Sequence, residues 1–187
     1  MLNLMTTKEN EKYLRQLSED VDFSDPNLEK EVNELKEFLK ENPIGYALAS
    51  IQLGIPKKII CISSTQEDGV RDGDMLVLLN PKIISQKGRT EFWEACFSCG
   101  TSNMGLVERP YSITLEYCDI DGNKYNKTFE GFICTVLSHE IDHLYGIFHL
   151  DRAKDFISLE YEDRIAYRKE HPYKIYSKTC DFEYEEI

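Results

Sequence analysis

The sequence predicts an α+β fold in a single domain, with antiparallel strands packed around one buried helix. Three observations predict it. Strand-like runs dominate the middle of the chain. A later helix carries the apolar spacing of a core element. No repeat, low-complexity tract or linker divides residues 1–187, a length that suits one domain.

Taken in order, Thr6 or Thr7 caps a short helix carrying Tyr13, Leu14 and Leu17. Asp25 suits an N-cap and Pro26 the first helical position. Leu28, Val32, Leu35 and Leu39 then repeat at helical spacing until Asn42-Pro43 ends the helix. The small-residue segment IGYALASIQLGIPKK follows, with glycines at 45 and 54. Strands are expected at Lys58–Ser63, Met75–Asn80 and Lys82–Gln86, with a polar surface loop between Ser64 and Asp74. Ser112–Asp119 alternates Ile113, Leu115 and Tyr117, and Asp121-Gly122 turns it back into Lys124–Phe129. After Gly131 a helix places Ile133, Val136, Leu137, Ile141 and Leu144 on its apolar side. Beyond Arg152 the pattern weakens. Ser158–Lys169 reads as a helix, His171-Pro172 breaks it, and the last fifteen residues are aromatic and acidic.

Composition narrows the function. Hydrophobic content of 41% and 30% charged residues are ordinary for a soluble globular protein. A net charge of -12 argues against nucleic acid as a partner, because a phosphate-binding surface needs a basic footprint. The start, MLNLMTTKENEKYLRQ, has no basic region followed by an apolar run, and no stretch approaches a membrane span. The expected compartment is cytoplasmic and reducing, where six cysteines serve as thiols or ligands rather than disulfides.

The strongest chemical signal is HEIDHLYGIFH. On a helix His139 and His143 lie one turn apart on one face and can grip one metal ion. Glu140 is then close enough to take a proton from a metal-bound water. The third ligand decides which hydrolase this is. His149 completes the pattern H-E-x-x-H-x-x-G-x-x-H of metzincin proteases. That pattern needs a downstream methionine turn, however, and Met1, Met5, Met75 and Met104 all lie upstream. The plainer reading of His149 is a partly buried histidine in an apolar strip. Cys96 in WEACFSCG is the other candidate, since a thiolate with two imidazoles leaves a coordination position open. Cys96 and Cys99 also form C-x-x-C, a weak redox or zinc signal with no second pair to match it.

Three segments, GYALASIQ at 45–52, EACFS at 94–98 and HEIDH at 139–143, resemble in order and spacing the signature segments of peptide deformylases. The resemblance spans about residues 25–152 and leaves 153–187 as a divergent C-terminal extension. It implies removal of the formyl group from N-formylmethionyl peptides or nascent chains. It implies one divalent ion, Fe(II) with zinc, nickel or cobalt as substitutes, held by Cys96, His139 and His143. Glu140 would be general base and then acid. Gln52 and the Phe97 backbone N–H would donate to the oxyanion. Glu94 and Arg109 would pair behind the cysteine loop, with Asp142 in a similar supporting role. Gly45, Tyr46, Ala47, Ala95, Phe132, Thr135 and Val136 would line the substrate site.

The chain departs from the family pattern at several positions. Ala47 and Ala95 stand where glycine is usual, Ser138 where glutamine is, Cys134-Thr135 where Ala-Arg is, and His149 where phenylalanine is. None removes a ligand, the base or an oxyanion donor. The resemblance therefore implies either a divergent deformylase or a metal-binding protein of that fold with weak or altered activity on another N-acylated ligand. Arg164, Arg168 and Lys169 precede the acidic end DFEYEEI, so docking on the ribosome through a basic C-terminal helix is not expected.

Overall fold

The computed structural model describes residues 3–63 and 75–184. The surface loop expected between Ser64 and Asp74 lies outside the described residues. The fold is α+β, as expected. Its eight described strands form one sheet, β1 (Ala47–Ala49), β2 (Ile59–Ile62), β3 (Leu76–Ala95), β4 (Asn103–Arg109), β5 (Ser112–Cys118), β6 (Lys124–Glu130), β7 (Asp155–Ser158) and β8 (Lys174–Asp181). The described helices are α1 (Thr7–Leu14), α2 (Leu28–Glu41), α3 (Phe132–Leu144), α4 (His149–Arg152) and α5 (Tyr161–Glu170). None is long and apolar enough to cross a membrane.

Strand β3 is the spine of the sheet. Every strand pair is antiparallel, and β3 pairs with β2, β4, β5 and β8 along its 20 residues. The sequence suggested two strands broken at Asn80-Pro81, with no strand expected between Gln86 and Ser112. The strand instead runs through the break. Asn80 takes the left-handed region (φ 52), which asparagine tolerates better than most residues. Its side chain accepts from the Val21 N–H at 2.7 Å, and the β3–β5 register shifts between Leu79 and Lys82. A bulge therefore absorbs the proline that reads as a stop.

Helix α2 begins at Leu28, later than expected, because Asp25 and Pro26 form a turn in which the Leu28 N–H reaches the Asp25 carbonyl. Its buried Val32, Leu35 and Leu39 belong to a cluster with Leu48, Ile59, Cys61 and Leu79. Helix α1 ends at Leu14, and Leu17 is exposed rather than on its apolar face. Helix α3 packs Ile133, Leu137, Ile141 and Leu144 against Ile60, Leu78, Ile113 and Leu115. The C-terminal region departs most from expectation. Asp155–Ser158 is a strand on the edge of β4, the helix starts only at Tyr161, and the aromatic tail pairs with β3 as β8.

Candidate metal centre and cleft

Helix α3 is buried nearly all round, so its polar residues must find partners inside the protein. One ligand atom from each of Cys96, His139 and His143 lies within 4.8 Å of the others. Cys96 Sγ is 3.2 Å from His143 Nε2. His139 Nδ1 bonds Glu94 at 2.8 Å, which turns its Nε2 toward the cluster. Helical spacing supplies the two imidazoles, and the end of β3 delivers the thiol. A thiolate with two imidazoles fits a divalent ion of borderline softness, and the buried donors lack enough protein partners of their own. His143 Nδ1, for example, has none among the described residues.

Behind the cluster lies a buried ionic network. Arg109 is fully buried and clasps Glu94 with two bonds of 2.8 and 3.0 Å. Its other nitrogen reaches Asp142 at 2.5 Å, and Arg152 clasps the same carboxylate at 2.7 and 2.9 Å. Burial alone would raise the Glu94 carboxyl. Arg109 and His139 overcome that and hold it well below the usual carboxylate range. The ring of Tyr184 covers the Arg152 guanidinium at 3.7 Å, so the C-terminal tail closes the network from outside.

Glu140 faces the cleft side of α3. Burial pushes its carboxyl up to about 7, and its Oε2 has no partner among the described residues. Gln52 is buried. Its Oε1 accepts from the Ala49 N–H at 2.9 Å, which aims Nε2 at Ser98 Oγ (3.1 Å) and Cys96 Sγ (3.5 Å). Gly45 is dictated by close approach, since a Cβ there would lie 2.4 Å from the Phe97 ring.

In front of these groups opens a cleft of about 400 Å³. Gly45, Tyr46, Ala47, Ala95, Phe97, Phe132, Thr135 and Val136 all line it, together with Gln52, Cys96, His139 and Glu140. Arg109, Asp142 and His143 stand behind it. Sequence reasoning missed the wall from α5, where Tyr161, Arg164, Ile165 and Arg168 also line the cleft. Arg168 donates twice to the Trp93 carbonyl, at 2.9 and 2.6 Å, and burial with the neighbouring Arg164 lowers it to about 10. In the sequence these arginines figure only in a basic stretch not expected to dock on the ribosome, and no local signal marks them as cleft residues.

His149 lies outside the Cys96, His139 and His143 group, although its ring stacks on His139 at 5.4 Å. It is fully buried, not partly so, and burial lowers its imidazole to about 4. The position of this third histidine does not follow the protease pattern.

The polypeptide deformylase family model matches residues 3–157, reaching further toward the N-terminus than the motifs alone suggested. A peptide deformylase of Rhizobium meliloti is 36% identical over 139 residues, 74% of this chain and 78% of that protein. One from Finegoldia magna is 34% identical over 155 residues, 82% of this chain and 91% of that protein. Among solved structures, a peptide deformylase of Synechococcus elongatus in complex with actinonin superposes with a TM-score of 0.73. The two are 30% identical, covering 82% of this chain and 81% of that one.

Proposed function

The chain belongs to the polypeptide deformylase family, and from that premise we propose that it removes the N-terminal formyl group from formyl-methionyl peptides and releases formate. The observation that carries this reading is the thiol and two imidazoles gathered beside a buried glutamate at a peptide-sized cleft. Cys96, His139 and His143 would hold one divalent ion. Fe(II) suits the set, with zinc, nickel or cobalt as substitutes. When bound, the ion supplies Lewis acidity, which acidifies water and polarises a carbonyl.

The chain's own residues do the rest. Glu140, with a carboxyl that titrates near neutrality, takes up a proton and later returns it to the departing amine. Gln52 Nε2, held by the Ala49 bond, and the Phe97 N–H donate to the oxygen that gains charge as the formyl carbon becomes tetrahedral. Tyr46, Phe132 and Val136 take the methionine side chain, and the neighbouring Ala47 and Ala95 line the path of the peptide backbone. Glu94, Arg109 and Asp142 fix the orientation of His139. The substrates are formylated peptides or nascent chains in the cytoplasm. Residues 1–187 act as one domain, with the extension 153–187 walling the cleft. That role of α5 leaves its arginines unavailable for ribosome docking.

Formate release from formyl-Met-Ala-Ser tests the reading, with protein purified anaerobically and its metal content measured alongside. Turnover should track bound metal. Cys96→Ser should lower both, by about 10-fold or more in metal affinity, because a soft anionic ligand becomes a neutral hydroxyl. Bound metal without formate release in the wild type would favour a binding protein, a reading motivated by Ala47 and Ala95. Gly45→Ala should displace the Phe97 ring and the donor beside it. Its kcat/KM should fall by on the order of 10²-fold with metal content unchanged, and an unaltered kcat/KM would remove Phe97 from the mechanism.

A further inference from the structure

We propose that Cys96, Cys99 and His149 form a second ligand set that takes a thiophilic divalent ion such as zinc, with Cys96 Sγ shared between the two sets. The inference goes beyond the deformylase reading and meets it at that shared sulfur and where the His149 ring stacks on His139. Two features the hydrolase does not use meet here. C-x-x-C is the spacing by which one tight turn presents two thiolates to a metal, and Gly100 follows the pair at φ 84, a left-handed turn. His149 arrives from α4, far along the chain. One ligand atom from each of the three lies within 4.8 Å of the others.

The imidazole supplies the independent observation. His149 is 1% exposed, and neither ring nitrogen has a hydrogen-bond partner among the described residues. A buried polar group left that way is costly, and such groups normally meet an ordered water or an ion. A water would satisfy one nitrogen but gives no reason for two thiols gathered around it. Thiolate and imidazole donors together select zinc over harder cations. The Cys99 thiolate and the shared Cys96 thiolate lower, without cancelling, the charge that two divalent ions bring into the interior. With the first ion already on Cys96, filling the second set releases the Cys99 thiol proton to solvent.

The test uses the protein with its first ion bound, dialysed anaerobically against zinc or cobalt and assayed for bound metal. Wild type should reach about two ions per chain, and Cys99→Val and His149→Phe should stay near one. Cobalt gives a second readout on wild type alone. Thiolate-to-cobalt absorbance should rise again with the second equivalent, because Cys99 then contacts cobalt. Saturation near one ion per chain, with no second rise, overturns the proposal whether or not the variants fold. Formate release, assayed on the one-ion protein before dialysis, separates the two readings. No release there would sink the deformylase reading alone, and release followed by saturation at one ion would sink this one alone.

Discussion

Glu140→Gln is expected to leave bound metal unchanged and to lower kcat by about 10² to 10⁴-fold, the span that general acid–base catalysis contributes. The carboxyl is buried beside His139, and burial rather than a charged neighbour dominates its upward shift to about 7. Glutamine keeps the shape and the helix packing but neither accepts nor returns a proton. Glu140 accepts a proton only when ionised. Wild-type kcat/KM should therefore fall as the pH drops through the pKa of this carboxyl, and the variant should lack that acid limb. Measurements of kcat, its pH profile and metal content on one preparation decide the matter. A variant within about threefold of wild type would take Glu140 out of the proton transfer.

Arg109→Met should be the most destabilising single change at the site. It removes the fully buried cation that clasps Glu94 and also reaches Asp142, stranding charge in the interior. Breaking such a network by removing one partner costs about 3–5 kcal/mol. For a chain of this length that is a fall in Tm on the order of 10 °C. By contrast Lys30→Ala, which removes the exposed partner of Glu34, should change stability by less than about 0.5 kcal/mol. Glu94 also holds His139 Nδ1, so the loosened carboxylate should weaken metal affinity by about 10- to 100-fold. The linkage has a definite sign. Glu94 is held below its ordinary value, so its contribution is complete above that value and is lost as pH falls through the depressed one. The Tm gap between wild type and variant should therefore be widest near neutral pH and narrow as the pH falls, because acid removes the Glu94 contribution in wild type and neutralises the stranded carboxylates of the variant. Thermal unfolding at two pH values checks both points, and equal Tm values for the two proteins would rule out a structural role for the network.

Much of this site was legible because its signals are local. His139, Glu140 and His143 sit within a turn or two of one helix, and the spacing of Val32, Leu35 and Leu39 on α2 needs no partner to be read. The missed elements depend on distant partners. Thr90 looks like a surface residue until its hydroxyl is placed against the Arg109 carbonyl. Asn80-Pro81 looks like a strand end until Val21 anchors the asparagine. Strand β8 is exposed along almost its whole length, so burial leaves no periodic mark on it. Cys99 and His149 each have an ordinary explanation alone. Only the fold sets them beside each other.

Helix α5 separates two kinds of inheritance in this chain. The family match ends at residue 157, and the helix whose arginines line the cleft begins at Tyr161. The residues proposed as metal donors and the glutamate proposed to transfer the proton lie in the shared portion, and one wall of the cleft is encoded after it. Selection acting on which peptides enter can therefore rewrite the tail while the reacting centre stays fixed. Exchanging residues beyond 157 between relatives is accordingly a way to graft peptide preference without rebuilding the chemistry.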